Sequence, residues 1–398
     1  MSARPATPAR PLPPLRPLGR PRPGDPAMLD DLLLDDPAAL AHADPDGLLP
    51  AAASAGALVR TAQRLAAEAG LTSLKPEGRP RSILLATSGP AAETAADVTS
   101  ALAAGGCPVL RLAPTGVAAA PGALRWALPG WAGPVDLLLI ATPDGSEPGL
   151  RLLAEQAYRR GLTVVAVLPR RSALGEIVDG SRGLPLPLAT PPERQQPVSP
   201  WPFLVPLLGL LDRTGLVDAD EETVQRLADR LDATAERCGP ITPTGANPAK
   251  SLAVELDESL PLLWTEGPAS DAVARRLVRL LAARAGRPAL TAALPEALTA
   301  HAALLSRPAE TDSGDDDLDD FFRDRVEDTS GPRPRVVLLR TRTADGLTAA
   351  PAVRELAHAH RVPLTELALP EGQDLDVLAE LLALTEYTAA YLSLAGPA

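Results

Sequence analysis

Two polar turns follow apolar, strand-like runs in the first half of the chain. Thr87 and Ser88 lie near the end of RSILLATSG, and Thr142, Gly145 and Ser146 follow LLLIA. In parallel α/β sheets such turns lie outside the carboxyl ends of the strands, where ligands bind. Hydroxyl groups and free N–H groups at a helix N-terminus hold phosphate, because the helix dipole favours anions there. These five residues are therefore predicted to bind an anionic substrate.

Both turns also have a purely structural interpretation. Asp144 and Gly145 are typical of a tight turn, and Ser146 or Asp144 suits the N-cap of the helix that follows. Thr87 or Ser88 equally suits the cap of the helix after the first strand. Ligand binding and helix capping both remain open for these turns at this stage.

A carboxylate stands at the corresponding sheet edge in the second half of the chain. Glu266 follows the strand-like run PLLWT, where open α/β sheets place functional groups. A general base must come within about 3 Å of the proton that it removes, or act through one water molecule. Glu266 is accordingly a candidate catalytic base.

The elements that must position these residues alternate in a regular way. Apolar strand-like runs are separated by helical patterns of about 10–15 residues, which is typical of parallel sheets covered on both faces. The pattern restarts after the two helical segments WPFLVPLLGLLDRTG and DEETVQRLADRLDATAERCG. We therefore predict an α/β fold with two doubly wound, mainly parallel, flavodoxin-like sheets, produced by a divergent internal duplication.

Shifts in composition divide the chain into segments. The leader carries nine prolines and little apolar material to bury, so it is predicted to be disordered. Two short helices are expected between Leu29 and Ala69. The expected order is a leader over 1–27, N-terminal helices over 28–74, a first α/β domain over 75–195, a helical connector over 196–246, and a second α/β domain over 247–398 with an acidic insert at 309–335.

Composition excludes several classes of function. The net charge of −12 opposes binding to a nucleic-acid backbone. Cys107 and Cys238 lack the spacing of a zinc site and are interpreted as structural thiols. The acidic insert lacks the spacing of a calcium loop. No apolar run approaches the roughly 18 residues that span a bilayer. We expect a cytoplasmic protein with no metal, no membrane and no nucleic-acid partner.

Several quoted segments carry a family resemblance. NPAKSLAVELDESLPLLWTEG is similar to N-x-A-K-x-L-A followed by P-x-I-Y-G, PEALTAH to P-E-L-N-H, and TPDGSE to S-x-S-G-x-T-E. Together with EGQDLDVLAELLALTEYTAAYLSLA, which resembles the family's closing segment, these motifs resemble the double-domain sugar isomerase (SIS) proteins. The resemblance is to the bifunctional phosphoglucose/phosphomannose isomerases and their actinobacterial branch, and covers about residues 28–395.

The resemblance implies a reaction and a set of site residues. The family interconverts aldose and ketose hexose 6-phosphates, so a sugar phosphate is the implied ligand, with no cofactor and with a homodimer as the assembly. The PEALTAH match implies Glu296 and His301 as catalytic residues, with His301 as the ring-opening group. The alternatives are a structural or surface histidine and a first-turn helical glutamate. Asn247 matches the family motif and equally suits a helix cap.

The same comparison locates departures from the family. Ala282 in RRLVRLLAA aligns with the family's glutamate base, and Asp144 with a serine of the phosphate turn. A family arginine aligns near Val198, with Arg194 as the nearest replacement, and the family's terminal lysine has no counterpart. Two hypotheses follow. The protein is either a phosphoglucose/phosphomannose isomerase homologue that uses relocated groups, or a non-catalytic sugar-phosphate-binding or scaffold protein.

Overall fold

The computed structural model describes residues 31–76, 78–116, 124–189, 199–257, 259–306, 333–341, 347–368 and 374–396. Within them, the strands are β1 Ile83–Thr87, β2 Val109–Arg111, β3 Leu137–Ala141, β4 Thr163–Leu168, β5 Leu184–Pro187, β6 Ser259–Glu266, β7 Leu290–Ala293, β8 Arg333–Arg340 and β9 Leu364–Ala368. The helices are α1 Asp31–Leu34, α2 Pro37–Ala43, α3 Leu48–Ala53, α4 Ala55–Glu68, α5 Pro90–Ala103, α6 Pro148–Arg159, α7 Ala173–Gly180, α8 Trp201–Arg213, α9 Glu221–Cys238, α10 Pro248–Leu256, α11 Pro268–Arg284, α12 Ala297–Ala300, α13 Ala302–Leu305, α14 Ala350–Ala359 and α15 Asp374–Ala395.

The strands form two parallel sheets. The first has five strands in the order β2-β1-β3-β4-β5, and the second has four in the order β7-β6-β8-β9. Every strand pairing in both sheets is parallel. The predicted α/β fold with two parallel sheets is confirmed. The short strands β5 and β7 lie at sheet edges.

One hydrophobic core joins the two sheets. Alternate residues of β1 point to opposite faces, so Ile83 and Leu85 enter the large shared core while Leu84 packs on the outer side. The same shared core contains Leu263 of β6 and Leu339 of β8. Helices α5, α8, α9, α11 and α15 fill the space between the sheets. The segment expected as a connector is therefore a central part of the core.

Three sequence expectations need correction. The segment expected to hold two short helices contains four, α1 to α4, because new helices begin at Pro37, after Gly47 and after Ser54. The final helix α15 is long and apolar enough to span a membrane by length and composition, contrary to the expectation that no such run exists. However, 89% of its apolar window is buried, so α15 is a core helix of this fold.

The third correction concerns the acidic insert, whose last three residues form the start of β8 at Arg333. The rest of the insert and the leader over 1–27 lie outside the described residues.

Both cysteines lie in the interior. Cys107 and Cys238 are free and buried, and burial raises the pKa of the Cys238 thiol to about 11. A thiol with a raised pKa stays protonated and unreactive near neutral pH. This placement agrees with the interpretation of both residues as structural.

Helices α5 and α11 bring the two halves of the chain into direct contact. They pack antiparallel, since Asp97 of α5 contacts Arg275 and Arg279 of α11 while Gly89, just before α5, lies near Ala283. The start of α5, at the carboxyl edge of the first sheet, therefore faces the C-terminal end of α11, which belongs to the second half of the chain.

Candidate functional site

The first polar turn forms the start of α5. Gly89 is the N-cap residue with φ 87° and ψ 150°, no side chain caps the helix, and Pro90 occupies its first turn. Neither Thr87 nor Ser88 caps α5, so the capping alternative is wrong for this turn. A helix start without a side-chain cap leaves N–H groups available to an anion.

A cavity of about 180 Å³ opens at this helix start, between the two halves of the chain. Ser88 and Gly89 line it from the first half, together with Pro143 of the neighbouring turn. The facing wall comes from α8 and α11. The described lining residues are Ser88, Gly89, Pro90, Ala91, Ala92, Pro143, Phe203, Arg276, Arg279, Leu280, Ala283 and Arg284.

Arginines supply the charge of this cavity. Arg276, Arg279 and Arg284 of α11 all line it. Arg276 is 3% exposed and donates a 3.0 Å hydrogen bond to Glu386 of α15. Arg279 pairs with Asp97 and donates to the hydroxyl of Thr94 at 3.2 Å. These contacts hold the guanidinium groups in place beside the start of α5.

The Asp97 carboxylate contacts three arginines, whose positive charges exceed its single negative charge. This carboxylate is 2% exposed and is approached by Arg111, Arg275 and Arg279. Arg275 also pairs with Asp271. The cluster formed by these three arginines and two aspartates therefore carries one net positive charge. An excess of positive charge in a partly dry interface favours binding of an anion.

The second polar turn lies beside the first. Its Thr142 is fully buried and accepts a 3.2 Å hydrogen bond from the amide of Gly145, while Ser146 donates its amide to Asp144 at 2.9 Å. The N-cap of α6 is Glu147, without a side-chain cap. The expectation that Ser146 or Asp144 caps α6 is therefore wrong.

The two turns meet through Ser88, whose hydroxyl lies 3.5 Å from the Glu147 carboxylate. Of the second turn, Pro143 alone is among the described cavity lining. The binding roles of Thr87, Thr142, Gly145 and Ser146 stay predictions, because these residues stand near the cavity without lining it.

Glu266 lies at the carboxyl edge of the second sheet and holds the start of α14. Its carboxylate accepts hydrogen bonds from the amide of Ala349 at 2.5 Å, the hydroxyl of Thr348 at 2.8 Å and Nε of Arg340 at 2.8 Å. Burial raises the pKa of this carboxyl, but the three donors outweigh burial and hold the pKa below its ordinary value. Glu266 is therefore ionised and accepts hydrogen bonds from three donors. It is not among the described residues that line the cavity.

His301 and Glu296 flank α12, beside the edge strand β7. His301 is 9% exposed and its Nδ1 accepts a 2.9 Å hydrogen bond from the indole of Trp264. Burial lowers the pKa of His301. Glu296 is exposed and is the N-cap residue of α12. The placement of His301 agrees with its structural alternative, whereas Glu296 precedes the first turn of α12 instead of lying in it. The catalytic roles of both residues stay predictions.

Other expected residues are placed as follows. Asn247 caps α10, accepting hydrogen bonds from the amides of Ala249 at 3.0 Å and Lys250 at 3.1 Å. Ala282, which was expected to align with the family's base, is exposed on α11 next to Ala283, which lines the cavity. Arg194 and Val198 lie outside the described residues.

Across the described part of the chain, His, Cys, Asp and Glu do not form any group of three or more that could hold a metal ion.

The cavity arginines and Asp97 carry no sequence motif that marks them as site residues. Arg276 and Arg279 are spaced like the polar positions of an amphipathic helix, a pattern more typical of a solvated face. Asp97 sits within the helical pattern of α5 without any motif. The periodicity of α5 and α11 assigns a face to each helix but does not indicate that the two helices pack against each other.

Comparison with known proteins agrees with this architecture. Residues 245–396 match the family model of the bacterial phospho-glucose isomerase C-terminal SIS domain. This part of the chain is therefore similar to a bacterial SIS domain. The expected family resemblance is thus confirmed as SIS and phosphoglucose-isomerase-like, while the actinobacterial branch stays a prediction. A search of curated protein sequences found no match.

Solved structures share the SIS fold along most of the chain. A hypothetical protein from Thermus thermophilus is 14% identical with a TM-score of 0.56, and the match covers 92% of this chain and 90% of that one. A candidate phosphosugar isomerase from Silicibacter pomeroyi is 17% identical with a TM-score of 0.55, covering 86% and 96%. Glucosamine-6-phosphate deaminase from Thermotoga maritima is 12% identical with a TM-score of 0.54, covering 87% and 94%. At these identities the likeness concerns the fold.

Proposed function

We propose that this SIS protein binds a sugar phosphate in the cavity between α5 and α11 and does not isomerise it. The observation that carries the proposal is the meeting of three arginines, Arg276, Arg279 and Arg284, with the uncapped start of α5. Arginine binds phosphate through paired N–H donors, and a helix start adds backbone donors and a favourable dipole. A cavity of about 180 Å³ suits the phosphate group, with the sugar towards the open side.

The chemistry of isomerisation needs a base beside the sugar, and the described lining of the cavity contains no carboxylate or imidazole. Ala283 and Ala282 stand where α11 would have to supply such a base. Glu266 is occupied with the start of α14, and His301 accepts from Trp264. These engagements support the binding hypothesis over the isomerase hypothesis.

The finer parts of the proposal follow from the family. The ligand is a hexose 6-phosphate, the protein works in the cytoplasm, and two copies assemble as a homodimer. The SIS family model over residues 245–396 supports the choice of sugar phosphate. Light scattering on the purified chain tests the dimer independently of ligand binding.

The test compares binding with turnover. Purified protein is titrated calorimetrically with fructose 6-phosphate, glucose 6-phosphate and unphosphorylated fructose, and the same phosphates are offered in an isomerase assay. We expect binding of at least one phosphate ester, no binding of fructose and no turnover. Turnover by the wild-type protein would establish the isomerase instead, and its loss in folded Glu266→Gln and Glu296→Gln variants would assign these residues to catalysis. A folded protein that binds neither phosphate would overturn the proposal.

A further inference from the structure

The chain contains the first βα turn twice. Thr87-Ser88-Gly89-Pro90-Ala91 joins β1 to α5, and Thr265-Glu266-Gly267-Pro268-Ala269 joins β6 to α11. The backbone conformations agree as well as the residue types, since Gly89 has φ 87° and ψ 150° and Gly267 has φ 95° and ψ 146°. Each glycine is an N-cap residue without a side-chain cap, and each is followed by proline in the first turn.

The two turns also occupy the same place in their sheets. Strand β1 lies between β2 and β3, and β6 lies between β7 and β8, with every pairing parallel. Helix α6 follows β3, and α14 follows β8. Ser88 and Glu266 are therefore equivalent positions of the internal duplication. Each side chain also reaches the start of the neighbouring helix, Ser88 towards Glu147 at α6 and Glu266 towards Ala349 at α14.

The difference between the two positions is the charge. Glu266 is 7% exposed, and its two oxygens accept from one backbone amide, one hydroxyl and one guanidinium group. The amide belongs to Ala349, at the start of the ten-residue helix α14. A backbone amide at a helix start, a hydroxyl and an arginine are the donor types that recognise a phosphate group. In the second half of the chain, these donors bind the carboxylate of Glu266, which is a side chain of the protein itself.

We propose that the Glu266 carboxylate is an internal substitute for a bound anion, which closes an anion site in the second half of the chain. Ser88, at the equivalent position, contributes no charge. The Glu147 carboxylate lies at the start of α6, while the start of α5 stays open to the cavity. The chain therefore binds one phosphate ester, although its fold is duplicated. The count of one ligand rests on the proposed function, whereas the role of Glu266 does not.

The test replaces the internal anion by an external one. Glu266→Ser copies the first half, removes the carboxylate and leaves Arg340 and the start of α14 without their anion. We expect its melting temperature in chloride buffer to fall by roughly 5 °C, as for loss of one partner of a buried ion pair. Inorganic phosphate at about tenfold above its dissociation constant should restore roughly 2 °C beyond the response of the wild type.

Two variants serve as controls. Glu266→Gln fills the same space with a neutral amide, so it loses stability without gaining a response to phosphate. Asp257→Ser removes a carboxylate that pairs with Arg287, at the C-cap position of α10, so its loss of stability should not be reversed by phosphate. All variants are also made in an Ala283→Glu background, which is expected to weaken phosphate binding in the cavity between α5 and α11 and so to make a response at Glu266 easier to detect.

The outcomes separate the two proposals. A phosphate response of Glu266→Ser no larger than that of Asp257→Ser overturns the internal-anion proposal. Should Glu266→Ser fail to fold, calorimetry on the wild type decides, because two phosphate esters bound per chain contradict a closed second site. If the wild type binds no phosphate ester but Glu266→Ser gains the response, the proposed function fails and the internal anion stands.

Discussion

The indole Nε1 of Trp264 donates a 2.9 Å hydrogen bond to Nδ1 of His301. Because Nδ1 accepts this bond, a neutral His301 carries its proton on Nε2. Trp264 lies in the middle of β6 and is fully buried, so the bond ties the segment after β7 to the centre of the second sheet. This relationship gives His301 a defined effect on the stability of the fold.

The first prediction concerns pH. Burial holds the pKa of folded His301 below its ordinary value of 6.5, so the unfolded chain binds this proton more readily. The contribution of His301 to stability is present above about pH 6.5 and is lost as the pH falls through the folded pKa. In denaturant unfolding, the free energy of unfolding of His301→Gln should be about 1 kcal/mol lower than that of the wild type at pH 7.5. On acidification to about pH 5.5, the free energy of unfolding of the variant should fall by less than that of the wild type. Equal pH dependence in both proteins would contradict this assignment.

The second prediction concerns the charge of the cavity. Ala283 is exposed on α11 and lines the cavity, so a longer side chain is tolerated there. Ala283→Glu places a carboxylate beside the proposed phosphate and should weaken fructose 6-phosphate binding by about tenfold or more, since about 1.4 kcal/mol of repulsion is tenfold. Ala283→Gln has nearly the same shape without charge and should bind more tightly than Ala283→Glu. Calorimetry on both variants checks this, and equal affinities would place the phosphate elsewhere.

The third prediction concerns Asp97. Asp97→Asn leaves Arg111, Arg275 and Arg279 around a neutral side chain, so we expect a loss of about 3 kcal/mol in the free energy of unfolding. Misplacement of Arg279 should also weaken sugar-phosphate binding. The control is Asp229→Asn, whose side chain is 63% exposed beside Arg60 and should change stability by less than about 1 kcal/mol. Similar losses in both variants would show that the Asp97 cluster has no special role.

The fourth prediction concerns the second polar turn. Gly145 has φ 66°, and a Cβ atom there would lie 2.7 Å from Cβ of Ser172. Gly145→Ala should therefore reduce stability by about 1–3 kcal/mol, through backbone strain and this clash. Gly180 has no atom within 4 Å of the corresponding position, so Gly180→Ala should stay within about 0.5 kcal/mol of the wild type. Thermal unfolding of both variants gives the comparison, and a fully stable Gly145→Ala would exclude a tightly packed turn.

The sequence by itself determined the two parallel sheets, the expected sugar-isomerase family and the polar turns at the sheet edges. Strands such as β3 and β8 follow from short apolar runs between helical patterns, because burial on both faces requires continuous apolar residues. Local geometry also follows from local residues, as at Asn247, whose side chain caps α10.

The tertiary structure alone decided which side chains meet. Arg279 reaches the start of α5 because α5 and α11 pack antiparallel between the sheets, and Glu266 binds Ala349 because β6 and β8 are neighbours. Residue periodicity assigns a face to each element but not the partner element, because contacts between distant segments depend on how several helices fill one shared core. The same burial explains why His301, a candidate catalyst by its residue type, is a hydrogen-bond partner of Trp264.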